Sequence, residues 1–354
     1  MDLEPVQQKV KYQGALLRAD GSLAQVGWSP QPRLDCNLEQ AHFYRAKFLQ
    51  PMRIKRWDYY GVFTPTHYFS FTISHIGYMG LMFCYVLNFE TKQYEEQTII
   101  VPFGKGVQLS RNSTKGECRF ENKQLRLQFT ANDDLQQRRI VCDWKEFGKK
   151  HGVGGLTADI SLLQPKSHES MNIVIPIEQN RFYFNRKINC MPASGMVQFN
   201  GEVFTLNPQT DSGSLDWGRG VWALQSHWVW ASSSGFLPDG RRIGLNLGYG
   251  FGDNSRATEN AFILDGKIHK LGTVEFEFDS TDYNQPWHMR STDGRLNLLF
   301  EPFFERVAKT DVKLLRSEVH QMFGRYSGTV VTDEGNTVEV NNLIGFAEEH
   351  FARW

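Results

Sequence analysis

Residues 212–231 read SGSLDWGRGVWALQSHWVWA. An acid, an arginine, a histidine and four tryptophans share this short run, with two glycines between Asp216 and Trp222. In an extended chain Trp222, Leu224, Ser226, Trp228 and Trp230 fall on one face, and Val221, Ala223, Gln225, His227 and Val229 on the other. No helical period fits as well, so the stretch reads as strand, with its tryptophan face toward a barrel interior or core. Asp216, Gly218 and Gly220 share the parity of the tryptophan face. A straight strand would therefore aim Asp216 the same way, although paired glycines suggest a bend or bulge at this point.

The flanking sequence repeats the pattern. Ile243, Leu245, Leu247 and Tyr249 alternate with Arg242, Gly244, Asn246 and Gly248. Val274, Phe276 and Phe278 alternate with Thr273, Glu275 and Glu277, and Phe69, Phe71 and Ile73 alternate with Ser70, Thr72 and Ser74. Asp20-Gly21, Asn200-Gly201, Asp239-Gly240, Asp265-Gly266 and Asp293-Gly294 stand between such runs, and dipeptides of this kind favour tight hairpins. Many short strands joined by regular turns predict an all-β protein. Short helices are expected near Asn37–Phe48, Asp143–Lys150, Glu301–Ala308 and Ala347–Arg353. A chain of 354 residues suits two antiparallel β-barrel halves, 1–190 and 191–354, with the change falling near Asn185–Pro192.

Composition excludes several classes. Lys+Arg and Asp+Glu are equal at 39 each, so no basic footprint marks nucleic acid or an anionic membrane as a partner. Ile76–Leu87 is the most apolar stretch, too short to span a bilayer and better suited to a buried strand. The five cysteines are odd in number and widely spaced, without a C-x-x-C pair. With no basic-then-apolar start in MDLEPVQQKV, they fit a reduced, cytoplasmic protein. His227, His269, His288, His320 and His350 form no metal-ligand spacing, so no metal is expected, and no nucleotide loop or nucleophile elbow implies a cofactor or a serine hydrolase.

The chemistry-bearing residues gather around the opening stretch. In one reading Asp216 pairs with Arg219 and the tryptophans are core. In the other, Asp216 borders an apolar cavity walled by Trp217, Trp222, Trp228 and Trp230. Burial there would hold its carboxyl protonated, and indole faces would stabilise a cation formed by protonating an alkene or ether. Asn246, Glu259 and Asn260 form a second polar group, in a glycine-rich loop placed over a barrel mouth. Asp216 with Glu259 could also be the carboxylate pair of a carbohydrate-active enzyme.

SLDWGRGVW, HWVWASSSG, DGRRIGLNLGYG, TENAFILDGKIHKLGTV and NLIGFAEEHFARW, with ADGSLAQVGWSPQP and WDYYGVFTPTHYFSFTISHIGY near the start, resemble the family called domain of unknown function 2804. An Asp followed by Trp-Gly and then a W-x-W strand is also similar to the two-domain lipocalin-like group, which includes carotenoid hydratases, tocopherol-cyclase-like proteins and lipocalin-type Diels–Alder cyclases. Here Trp217 follows Asp216 directly, where the group shows Asp-His-x-Trp-Gly or Asp-x-x-Trp-Gly. Gly345-Phe-Ala-Glu348 resembles its terminal G-x-x-E strand. The resemblance implies two lipocalin-like barrels and a cofactor-independent isomerase, hydratase or cyclase acting on a hydrophobic small molecule. Asp216 and Glu259 would then be catalytic. Trp217, Arg219, Trp222, His227, Trp228, Trp230, Asn246, Asn260 and Glu348 would line the ligand site. A carrier of apolar ligands without catalysis fits the same residues.

Overall fold

The computed structural model describes residues 5–42, 46–152, 154–178, 180–312 and 315–353. Two antiparallel sheets curl into barrel-like halves, and helix is confined to short 3-10 turns. The first sheet runs in the order Tyr94–Pro102, Met79–Asn88, His67–His75, Ile54–Phe63, Ser212–Val221, Arg181–Phe199, Leu156–Leu163, Gln137–Trp144, Leu125–Asn132 and Lys115–Glu121. The second runs Lys267–Lys270, Ala261–Leu264, Arg242–Tyr249, Gln225–Phe236, Thr337–Arg353, Leu315–Val331, Leu296–Val312, Trp287–Ser291 and Val274–Glu277. The hydrogen-bonded sheets part between Val221 and Gln225. Position 190 lies inside the long Arg181–Phe199 strand, at the register shift between Ile188 and Met191, where Cys190 takes φ 62°.

The turn chemistry explains the hairpins. Asn200-Gly201 has φ 50° and 82°, and Asp265-Gly266 has 48° and 81°. Positive φ at both central residues matches the right-handed twist of the strands they join. Each half then buries one parity of its strands. Phe69, Phe71 and Ile73 enter the first interior, and Val229, Ala231, Leu245 and Leu247 the second. The outer faces of the two halves meet in a third cluster that includes Tyr59, Tyr68, Tyr85, Trp222, Trp230, Phe323 and Phe346. The tryptophan face thus lies between the halves, because smaller aliphatic side chains of the opposite parity already fill the second interior.

Three local expectations are corrected. Glu301–Ala308 and Ala347–Arg353 are strand, belonging to Leu296–Val312 and Thr337–Arg353. Their backbone groups are taken by neighbouring strands, and Thr337–Arg353 is paired on both sides. The helix expected over Asn37–Phe48 reduces to 3-10 turns at Leu38–Gln40 and Lys47–Arg53, with 43–45 outside the described residues, and that over Asp143–Lys150 to Lys149–His151. The Ser212–Val221 strand has no bend at its glycines: its pairing with Ile54–Phe63 is unbroken, and its register on the other side shifts only beyond Ile188. Gly218 instead makes room for an indole, since a Cβ there would lie 2.0 Å from the Trp57 ring.

Candidate functional site

Between the halves lies a cavity of about 610 Å³ walled by Trp57, Trp222, Trp228, Trp230 and Phe251. Many of its lining side chains come from one cross-strand row in each sheet. In the first sheet Lys187, Asp216, Tyr59, Thr72, Phe83 and Thr98 are successive neighbours across six strands. In the second, Trp230, Glu348, Gln321 and Arg306 are neighbours across four. All ten side chains line the cavity. Exposed Ile100 and Val307 mark its outer edge.

Asp216 lies in the first row, as its parity required. Asn185 Nδ2 donates to its Oδ1 at 2.6 Å, and Lys187 Nζ stands 3.3 Å from its Oδ2. The same ammonium is 3.9 Å from Glu259 Oε2 and 3.7 Å from the centroid of Trp230. Lys187 therefore joins Asp216 and Glu259 to the indole wall, with its charge over a π face. Burial raises the Glu259 carboxyl above its ordinary range, opposed chiefly by the Lys187 charge. Tyr183 Oη donates to Glu259 Oε2 at 3.1 Å, and Glu259 Oε1 is buried without a hydrogen-bond partner.

Glu348 is the stronger acid candidate. Burial raises its carboxyl to about 7, against the nearby Arg306 and Lys187 charges. Its setting is fixed by a chain of hydrogen bonds. The Tyr59 hydroxyl bonds those of Tyr68 at 2.6 Å and Tyr85 at 2.7 Å. Tyr85 Oη donates to Gln321 Oε1 at 2.9 Å, which orients the amide so that Nε2 donates to Glu348 Oε2 at 3.0 Å. The Trp228 indole N–H also donates to this carboxyl. Arg306 is neutralised by Glu96, with its Nη2 2.6 Å from Glu96 Oε1. His350 meets the Trp228 ring at 4.0 Å, and burial lowers it to about 3, so it stands neutral.

The remaining expected site residues divide. Trp222, Trp228 and Trp230 form the wall. Trp217 and Arg219 point the other way, into the first half. Trp217 is part of that core, and Arg219 Nη2 pairs with Asp58 Oδ1 at 2.8 Å, not with Asp216. Three residues apart on a strand is an odd step, which puts the two charges on opposite faces. His227 lies on the opposite face of its strand, with Nε2 2.8 Å from Glu349 Oε1. Asn246 supports the wall from behind, accepting from Trp230 Nε1 at 2.9 Å and donating to the Glu259 carbonyl at 2.9 Å. Asn260 Oδ1 accepts from the Gly248 N–H at 2.7 Å and lies outside the cavity lining. The loop after Tyr249 seats Phe251 against Tyr183 at 5.2 Å instead of leaving a free flap.

Sequence reading missed Lys187, Tyr59, Gln321 and Arg306. Only the parity of Lys187 with Asn185 and Asn189, in a strand otherwise rich in apolar residues, hints at an inward lysine. Among the described residues no three His, Cys, Asp or Glu side chains are grouped to hold a metal ion.

Kievitone hydratase from Nectria haematococca is structurally similar, with 13% identity and a TM-score of 0.48 over 84% of this chain and 88% of that one. A candidate AttH from Nitrosomonas europaea matches with 13% identity and a TM-score of 0.47 over 84% and 92%. A search of curated proteins finds no match. A family profile covers residues 7–354, and the chain belongs to the domain of unknown function family DUF2804.

Proposed function

We propose that this protein is a cofactor-independent hydratase, isomerase or cyclase that protonates a hydrophobic small molecule held between its two halves. The observation that carries the reading is a ligand-sized cavity of about 610 Å³ with indole walls and a buried carboxyl, Glu348, raised to about 7. Glu348 gives its proton to an alkene carbon or ether oxygen. Trp222, Trp228 and Trp230 present π faces to the cation that forms. In hydration, water adds to that cation and the released proton returns to the carboxylate. In isomerisation, a neighbouring C–H bond loses its proton instead. Asp216, held by Asn185 and Lys187, is placed to orient a polar group of the ligand. The paired-carboxylate reading is less favoured, because Lys187 stands between Asp216 and Glu259 and Glu259 is fully buried.

A panel of unsaturated terpenoids and enol ethers incubated in D2O with the full chain tests this. Carbon-bound deuterium in the product is the expected result, with a 10²–10⁴-fold lower rate for Glu348→Gln. Equal rates for the two proteins would remove the acid role. Tight, saturable binding with no deuterium exchange across the panel would leave a carrier.

A further inference from the structure

The first half holds a second cavity, of about 500 Å³, on the face of the sheet opposite the tryptophan chamber. A cross-strand row of three basic side chains lines it: Arg219, Arg56 and His75 are successive neighbours on the Ser212–Val221, Ile54–Phe63 and His67–His75 strands. The outer two are satisfied. Arg219 pairs with Asp58 and also donates to the carbonyls of Trp57, Gly218 and Ser110. His75 accepts from the Gly77 N–H at Nδ1 and meets the Phe103 carbonyl with Nε2. Arg111, also at this cavity, is committed to Asp35 and Glu39.

Arg56 differs. Among the described residues no carboxylate stands within ion-pair distance of it, and its Nε is buried without a hydrogen-bond partner. Burial and the adjacent Arg219 charge both weaken its hold on its proton. A part-buried guanidinium with an unpartnered Nε, set beside a second guanidinium, favours an anion in the same cavity. Its planar donor fork matches a carboxylate or phosphate. Leu38, Leu109 and Ile54 supply apolar surface in the same cavity.

We infer that this cavity is a binding site for a small organic anion, whose carboxylate or phosphate head is held by Arg56 and whose body lies on Leu38, Leu109 and Ile54. The site is separate from the tryptophan chamber and independent of any reaction there. It can be tested by calorimetry and thermal melting of the full chain with sodium hexanoate and with sodium phosphate, at ionic strength matched with chloride. Saturable one-to-one binding of at least one of the two is expected, with a rise in Tm. A response to hexanoate alone identifies an organic carboxylate, and one to phosphate alone a phosphate group. Arg56→Gln should weaken binding at least tenfold, and Arg56→Lys less. Leu109→Trp, which fills the cavity and keeps every charge, should also abolish it. Without added anion, Arg56→Gln should melt no lower than the wild type, since it removes an uncompensated charge. Absence of binding by the wild type, or equal binding by Arg56→Gln, overturns the inference.

Discussion

Lys187→Met is expected to lower the stability of the fold by about 3–5 kcal/mol near neutral pH, the usual cost of removing one partner from a buried ion cluster. Lys187 is buried between Asp216 and Glu259, and its ammonium also covers the Trp230 ring. Methionine keeps much of the volume but leaves Glu259 with Tyr183 as its remaining hydrogen-bond donor and Asp216 with Asn185. The loss should shrink as acid protonates the stranded Glu259 carboxylate, whose hold on a proton burial already strengthens. The double variant Lys187→Met with Glu259→Gln should regain part of it, because a neutral amide needs no counter-charge. Urea melts of the single and double variants measure this. A loss under about 1 kcal/mol, or no recovery in the double variant, would mean that Lys187 is not the charge that permits these acids to be buried.

The second large effect concerns Glu348, whose burial raises it from an ordinary 4.5 to about 7. The native state then holds a proton that the unfolded chain has released, over the window between about 4.5 and about 7. Stability contributed by the neutral carboxyl is fully present below that window and is lost as pH rises through it. The accumulated loss is about 3 kcal/mol above pH 7, at ~1.4 kcal/mol per pKa unit. Glu348→Gln has no such proton to lose. Its stability relative to wild type should climb by about 3 kcal/mol from pH 4.5 to pH 8, in the same variant that loses turnover. Denaturant melts across that range check the sign. Parallel wild-type and variant curves would place Glu348 outside the proposed chemistry. A gain in stability joined to a loss of activity is the expected mark of a residue kept for reaction.

The fold was largely legible because strands announce themselves locally. Alternation at Ile243–Tyr249 and Phe69–Ile73 set the buried faces, and Asn200-Gly201 and Asp265-Gly266 set the hairpins. Parity also placed Asp216 with Trp222, Trp228 and Trp230. The failures have a common physical origin. Glu301–Ala308 and Ala347–Arg353 have helix-compatible composition, and neighbouring strands decided their conformation. The polar site is built from rows that run across strands, so Lys187, Tyr59, Gln321 and Glu348 are distant in sequence and adjacent only through register. Sequence alone suggests a bend at Gly218 because the indole it admits, that of Trp57, belongs to another strand. Sequence alone points the tryptophans to a barrel interior, because it does not say which of two apolar faces closes a barrel and which meets a second one.

The most direct test of a ligand chamber between the halves is a titration with 1-aminoanthracene, a neutral apolar fluorophore, followed through quenching of indole emission. Four tryptophans line the cavity, so saturable quenching by one equivalent is expected. Thr72→Phe and Ser317→Phe, each filling the cavity and each shown by circular dichroism to be folded, should weaken that binding at least tenfold. Quenching that never saturates, or equal affinity in the filled variants, would contradict the account.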